Sequence, residues 1–183
     1  MANSDEKIVL AIDVQQQKDK AIQEAASIAN NIMCTHLCID IFNKQFGTTV
    51  EMQEKMKTVL ILFDKYTNFD KKTKWEPLSW IDRASKTVHI IQINDIFRKR
   101  LALDEVCYGE KEWQIIVVAM AICIVHEVAH LIIRWKGHRR TPPKYIEAGN
   151  YIEKGLFHNL VCPVIYKINE KDEWNETQKF VGK

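Results

Sequence analysis

The sequence predicts an α+β fold, and three observations support it. Residues 110–136 contain no Pro or Gly and are mostly apolar, which is typical of one long buried helix. Residues 87–94 are rich in β-branched side chains with partial alternation, which indicates a strand. Residues 18–46 have the apolar spacing of an amphipathic helix that ends before Gly47. A chain of 183 residues is long enough to form one domain with its own core.

The single domain, 1–183, is expected to have three parts. Residues 1–65 form a helical part, residues 80–160 contain the sheet and the site helices, and residues 170–183 form a polar tail that we expect to be mobile. The other segments are predicted as a helix or a helix followed by a strand at 50–65, a loop at 66–79, strand structure at 80–94, a short basic helix at 95–105 and an apolar stretch at 160–168.

Composition excludes few functions, but it predicts the compartment and the redox state of the cysteines. Hydrophobic residues make up 46% and charged residues 27%, as in ordinary soluble domains, and the net charge of +2 gives no indication of nucleic-acid binding. The polar N-terminus does not look like a secretory signal. Five Cys, an odd number, agree with reduced thiols and a cytoplasmic location. A second metal site at Cys34 and Cys38 is disfavoured, because both positions fit the packing of a helix.

The motif His-Glu-Val-Ala-His at residues 126–130 lies inside the long apolar helix. His126 and His130 are one helical turn apart on the same face, so both imidazoles can reach one metal ion. Glu127 lies about 100° further around the helix, near enough to take a proton from water. A buried helix with these polar groups needs partners for them, and a metal ion is one such partner. The alternative is that neighbouring side chains satisfy the two histidines.

A membrane-spanning helix is a second alternative for this segment. Residues 113–133 are long enough to cross a bilayer. However, His126, Glu127 and His130 would then lie in lipid at a high energetic cost. The sequence therefore favours a helix buried in a protein core.

A catalytic zinc usually has three protein ligands, so the sequence after the motif should supply a third. Gly137 is a suitable end for the motif helix, and Thr141 and Pro142 look like the cap and first position of a second helix. Glu147 would then lie a little over one turn inside that helix, and we expect it to be the third ligand. The next two residues, Ala148 and Gly149, are small and would let the helices approach closely.

Two other residues are alternatives for the third ligand. Glu153 either supports a ligand histidine or is itself the ligand, with Glu147 as the support. His138 is a weaker alternative, since the pattern with a third histidine needs Gly where Ile133 stands and His138 follows two residues late.

The motif at 126–130 and the Glu-Ala-Gly…Glu run at 147–153 together resemble the zincin superfamily of metallopeptidases, in its gluzincin branch. They are also similar to small predicted metallopeptidases of fungal genomes. The resemblance covers roughly residues 75–160. It implies a mixed sheet packed on the motif helix, with an edge strand just before that helix along which an extended peptide binds. Residues 87–94 fit that edge strand, and they fit an ordinary core strand equally well.

The resemblance also implies a reaction. A zinc ion held by His126, His130 and Glu147 would support peptide-bond hydrolysis, with Glu127 as general base, so we expect a metalloendopeptidase acting on peptide or protein substrates. The alternative is a catalytically silent or self-inhibited zinc-binding interaction domain. No nucleic-acid or membrane partner is expected. The candidates for stabilising the developing oxyanion are Tyr145, Tyr151, Tyr166 and His158.

Overall fold

The computed structural model describes residues 7–66, 77–81, 89–104, 106–138, 140–142 and 147–158. The tail at 170–183, the apolar stretch at 160–168 and most of the loop at 66–79 lie outside the described residues. The fold is α+β, as predicted. Its described helices are α1 (Lys20–Met33), α2 (His36–Ile41), α3 (Val50–Met56), α4 (Ile96–Leu101), α5 (Lys111–Trp135) and α6 (Ala148–Phe157), and its described strands are β1 (Leu60–Asp64), β2 (Ser79–Ile81) and β3 (Ile90–Asn94).

The predicted helix at 18–46 is broken into two, so the prediction of one continuous helix is wrong. Thr35 interrupts it, because its hydroxyl accepts a hydrogen bond from the Cys38 amide (3.3 Å) and caps a new helix. The two halves, Lys20–Met33 and His36–Phe46, are bent by 71°. The predicted end is confirmed, since Gly47 terminates the second half with a φ of 59°.

The segment 50–65 is a helix followed by a strand, which was one of the two alternatives. Its strand, β1, pairs in parallel with β3, and β2 pairs antiparallel with the other side of β3. The strand order β1-β3-β2 places β3 in the centre of the described sheet. Of the two alternatives for residues 87–94, an edge strand or an ordinary core strand, the structure matches the core strand for Ile90–Asn94. Ile91 and Ile93 are fully buried, as expected for a strand with a hydrogen-bonded neighbour on each side.

A side chain forms hydrogen bonds with the backbone at the start of the outer edge of β1. The amide group of Gln17 donates to the carbonyl of Val59 (3.0 Å) and accepts from the amide of Ile61 (2.9 Å). Gln17 is itself buried. These two bonds occupy backbone groups at the start of β1 that an added strand would otherwise use, so this part of the edge is protected against pairing.

Helix α5 is the centre of the core. It packs against α1, α6 and the inner face of the sheet, and its residues from Ile116 to Ile133 are mostly buried. By length and composition α5 could span a membrane, as could the bent pair Lys20–Met33 and His36–Phe46 if taken as one span. In this fold, however, 72% of the apolar 18-residue stretch of α5 is buried inside the protein.

The predicted end of α5 at Gly137 is confirmed. Gly137 has a φ of 84°, and its amide donates to the carbonyl of Arg134 (2.8 Å). The amide of His138 donates to the carbonyl of Ile133 (3.2 Å). This pair of bonds is a Schellman motif, which satisfies carbonyl groups that the helix end would otherwise leave unbonded.

An ion pair that the sequence did not indicate joins α4 to the start of α5. Arg100 lies in a basic run but is fully buried, and its Nε donates to Oε1 of Glu112 (2.7 Å). The neighbouring Arg98 is exposed and pairs with Asp95 within the same helix. Arg100 therefore belongs to the core of the domain and not to a solvated basic surface.

We expect Glu112→Ala to destabilise the protein by about 3 kcal/mol, because it removes a carboxylate from a fully buried guanidinium group. Urea unfolding monitored by circular dichroism measures the change. Glu54→Ala is the control, since Glu54 pairs with Lys57 on the exposed surface and should matter little. Equal stability of the two variants would contradict a structural role for the Arg100–Glu112 pair.

Candidate metal centre

The structure brings together the three residues predicted as metal ligands. His126 and His130 project from one face of α5, with ring centroids 5.2 Å apart. Glu147, at the start of α6, contacts Nε2 of His130 directly, and its Oε1 lies 3.6 Å from Nε2 of His126. One ligand atom from each residue lies within 4.8 Å of the others. These residues are called the His-His-Glu trio below.

Glu147 is the N-cap of α6, and the predicted start of this helix is wrong. Thr141 and Pro142 are not helical, and the described helix begins at Ala148. The Thr141 hydroxyl instead accepts from the Ala148 amide (3.3 Å). Oε2 of Glu147 accepts from the Asn150 amide (2.6 Å). One carboxylate oxygen thus caps the helix while the other faces the imidazoles, at the helix end where negative charge is favoured.

Glu153 lies on the other side of His126. Its Oε1 is 2.6 Å from Nδ1 of His126, and Glu153 is buried. A carboxylate that accepts from Nδ1–H fixes the ring orientation and leaves Nε2 as the ligand atom. Of the two alternatives drawn from the sequence, the geometry therefore matches Glu147 in the His-His-Glu trio and Glu153 as the support of a histidine.

The small residues after Glu147 permit a very close approach of α6 to α5. A Cβ atom built on Gly149 would lie 2.2 Å from three ring atoms of His126. Ala148 is also fully buried. The expectation that small side chains allow this packing is confirmed, and Gly149 fixes the distance between α6 and the His126 ring.

The charges at the site favour an ionised carboxylate. Burial opposes ionisation of Glu147, but the hydrogen bond and charge of His130 outweigh it and lower the pKa of Glu147 to about 2. Burial likewise opposes protonation of His126. The hydrogen bond of Glu153 and the charges of Glu127 and Glu147 outweigh that effect and raise the pKa of His126 above 6.5. At neutral pH the Glu147 carboxylate is therefore in the form that binds cations.

Glu127 is held by a residue that the sequence reasoning missed. The Ser79 hydroxyl, on strand β2, donates to Oε1 of Glu127 (2.8 Å). Glu127 is only 4% exposed, although it follows a member of the His-His-Glu trio in the chain. The one sequence signal was a serine beside the apolar pair Trp80 and Ile81, and β2 is too short for its pattern to be read alone.

The other site candidates lie elsewhere or outside the described residues. Tyr145 and Tyr166 fall outside them. Tyr151 packs edge-on against Phe46, with ring centroids 5.9 Å apart. His158 is exposed just after the last turn of α6, roughly 15 Å along the axis from the start of that helix. None of these positions identifies an oxyanion donor.

The weaker metal-site alternatives receive no support from the described part of the chain. His138 is exposed beyond the end of α5. Cys34 is exposed and Cys38 is buried, and both are free thiols. Among described residues, the His-His-Glu trio is the group whose His, Cys, Asp or Glu ligand atoms converge on one point.

Replacing Gly149 with Ala should weaken zinc binding by roughly 10–100-fold, because the added methyl group displaces the His126 ring. Competition with a chromophoric chelator measures the affinity. Gly155→Ala in the same helix is a matched control, since its Cβ would meet only the flexible end of Ile41, at 2.7 Å. Unchanged affinity in Gly149→Ala would contradict the role assigned to this close contact.

Glu147 and Glu153 should behave differently when each is replaced. Glu147→Ser keeps a side-chain cap for α6 but removes the carboxylate, so stoichiometric zinc binding should be lost while the helical circular dichroism signal persists. Glu153→Gln should lower zinc affinity roughly 10–100-fold and still bind one equivalent at high zinc. The reverse pattern would exchange the assigned roles of the two residues.

No protein family model, curated protein or solved structure matches this chain. The likeness to zincins therefore depends on the motif residues themselves, and membership of that superfamily stays a prediction. The described structure contributes their placement: two histidines and a glutamate converge, a second glutamate supports one histidine, and Glu127 lies buried beside them.

Proposed function

We propose that this protein is a zinc-dependent metallopeptidase that hydrolyses peptide bonds. The observation that carries the proposal is the convergence of the His-His-Glu trio next to Glu127 in the chain. Two imidazole nitrogens and one carboxylate oxygen are the donor set of many catalytic zinc sites, which keep a further position open. The side chains of His126 and Glu147 are 22% and 30% exposed, so the centre is accessible from solvent.

The residues of the chain divide the chemistry among them. The His-His-Glu trio would hold the zinc ion, which when bound acts as a Lewis acid toward a carbonyl oxygen and makes water more acidic. Glu127 accepts the proton of the attacking water and passes it to the nitrogen of the leaving amine. Through its bond to Nδ1 of His126, Glu153 keeps Nε2 of that ring directed at His130 and Glu147.

Strand β2 is the part of the sheet best placed to bind an extended peptide. Gln17 occupies the start of the β1 edge. Strand β2 forms the other end of the described sheet, and its Ser79 reaches Glu127. A peptide that added to β2 by main-chain hydrogen bonds would therefore run beside the general base. A cytoplasmic location, and the lack of nucleic-acid or membrane partners, stay predictions from the sequence.

A self-inhibited protein would need a segment, such as the N-terminal region, that blocks the site and can be removed. The position of the N-terminal region disfavours this alternative. Helix α1 packs along α5, and Ala25, Ala26 and Ala29 are fully buried in the shared core. Because α1 contributes to the shared core, removing this described part of the N-terminal region would expose apolar surface, which argues against its being a removable inhibitor.

The purified protein should contain about one zinc per chain by elemental analysis and should cleave unstructured casein-like substrates. Glu127→Gln should keep its zinc and lose about 10²–10⁴-fold in cleavage rate, since it retains the shape but not the basicity of the side chain. Glu54→Gln, a change at an exposed glutamate, should cleave like the wild type.

Three results would contradict the proposal in different ways. Equal cleavage by the wild type and Glu127→Gln would indicate a contaminating protease. Bound zinc without cleavage in the wild type would favour a silent zinc-binding domain. Absence of zinc binding would remove the basis of both functions.

A further inference from the structure

The inner face of the sheet is apolar except at one position. The side chains that face α5 from the described strands are Ile61 and Phe63 of β1, Ile91 and Ile93 of β3, and Ser79 and Ile81 of β2. Ser79 is the one polar member of this set. A serine among isoleucines gives up apolar burial, and such local exceptions tend to occur at functional sites.

The strand register explains where Ser79 points. Ser79 pairs with Ile93, whose side chain is fully buried, while the next residue, Trp80, lies on the opposite face and packs against Tyr66. The Ser79 side chain is therefore directed at α5, where its hydroxyl donates to Oε1 of Glu127 at 2.8 Å. A hydroxyl-to-carboxylate bond of this kind is stronger than a bond between neutral groups.

A second side chain, Cys123, lies near the Ser79 hydroxyl. Cys123 is one helical turn before Glu127 on α5, and its thiol is buried near Ser79, with its pKa raised to about 12 mainly by that burial. A serine hydroxyl has one proton to donate and can accept as well. Its proton goes to the Glu127 carboxylate, and the neighbouring thiol is a weak acceptor that competes poorly for it.

We infer that Ser79 is a positioning residue, which fixes the Glu127 carboxylate so that its second oxygen can serve as the proton acceptor. This role rests on the proposed peptidase function. It also links the base to strand β2, so that a peptide paired with β2 would steady the strand that holds Glu127. Ser79 does not itself take part in proton transfer.

The test compares Ser79→Ala with Ser79→Thr in the zinc-loaded protein. Ser79→Ala should lower kcat about 10–100-fold with KM within about twofold of wild type, because the base is misaligned while substrate binding persists. Ser79→Thr keeps a hydroxyl and should recover most of kcat. Both variants should bind one zinc per chain.

A second measurement does not depend on activity. In metal-free protein, thermal unfolding of the wild type, Ser79→Ala, Glu127→Ala and the double variant forms a double-mutant cycle. Ser79→Ala should lower the Tm by several degrees alone and much less when Glu127 is already Ala. Additive effects would overturn the contact.

Other outcomes overturn the role of Ser79 while leaving the contact intact. An unchanged kcat in Ser79→Ala, or a rise in KM alone, would overturn the positioning role and leave the peptidase function standing. A wild-type protein that cleaves no peptide would overturn the proposed function, and the positioning role with it.

Discussion

The presence of three ionisable side chains in the middle of an apolar core helix is the constraint on which the structure depends. Helix α5 forms the core, yet its middle contains the buried Glu127 and His130 and the half-buried His126. An unpartnered polar group in such a place costs roughly 2–7 kcal/mol. Each of the three has a partner on another element: Glu153 for His126, Ser79 for Glu127 and Glu147 for His130. The partners tie α6 and β2 to the motif.

Helix packing and ligand position follow from this constraint together. Because Gly149 touches the His126 ring, α6 lies closer to α5 than larger side chains would allow. Glu147 then reaches the imidazoles from the N-cap itself, where its other oxygen accepts from Asn150. A ligand at the start of a helix needs only a short connection from the preceding one. Glu147 can therefore follow His130 by only 17 positions in the chain (147 − 130).

The sequence predicted the features that local pattern encodes. The apolar run and Gly137 defined α5 and its end, and the motif with its downstream glutamate defined the His-His-Glu trio. Tertiary pairing decided the rest. Central and edge strands can share one composition, so residues 90–94 could not be assigned to either by pattern. Preferred capping residues favoured Thr141 over a glutamate as the helix start.

The burial of Glu127 bears on the choice between the proposed peptidase and a catalytically silent zinc-binding domain. A structural zinc site is normally closed by four protein ligands and has no use for a further carboxylate beside it. Here three ligands converge, and the adjacent carboxylate is 4% exposed and held by a hydroxyl from another element. Burying a carboxylate is costly, and the Ser79 hydroxyl is the partner that offsets this cost. The proposed hydrolysis gives this carboxylate a use as a proton acceptor, whereas a silent zinc-binding domain would give it none.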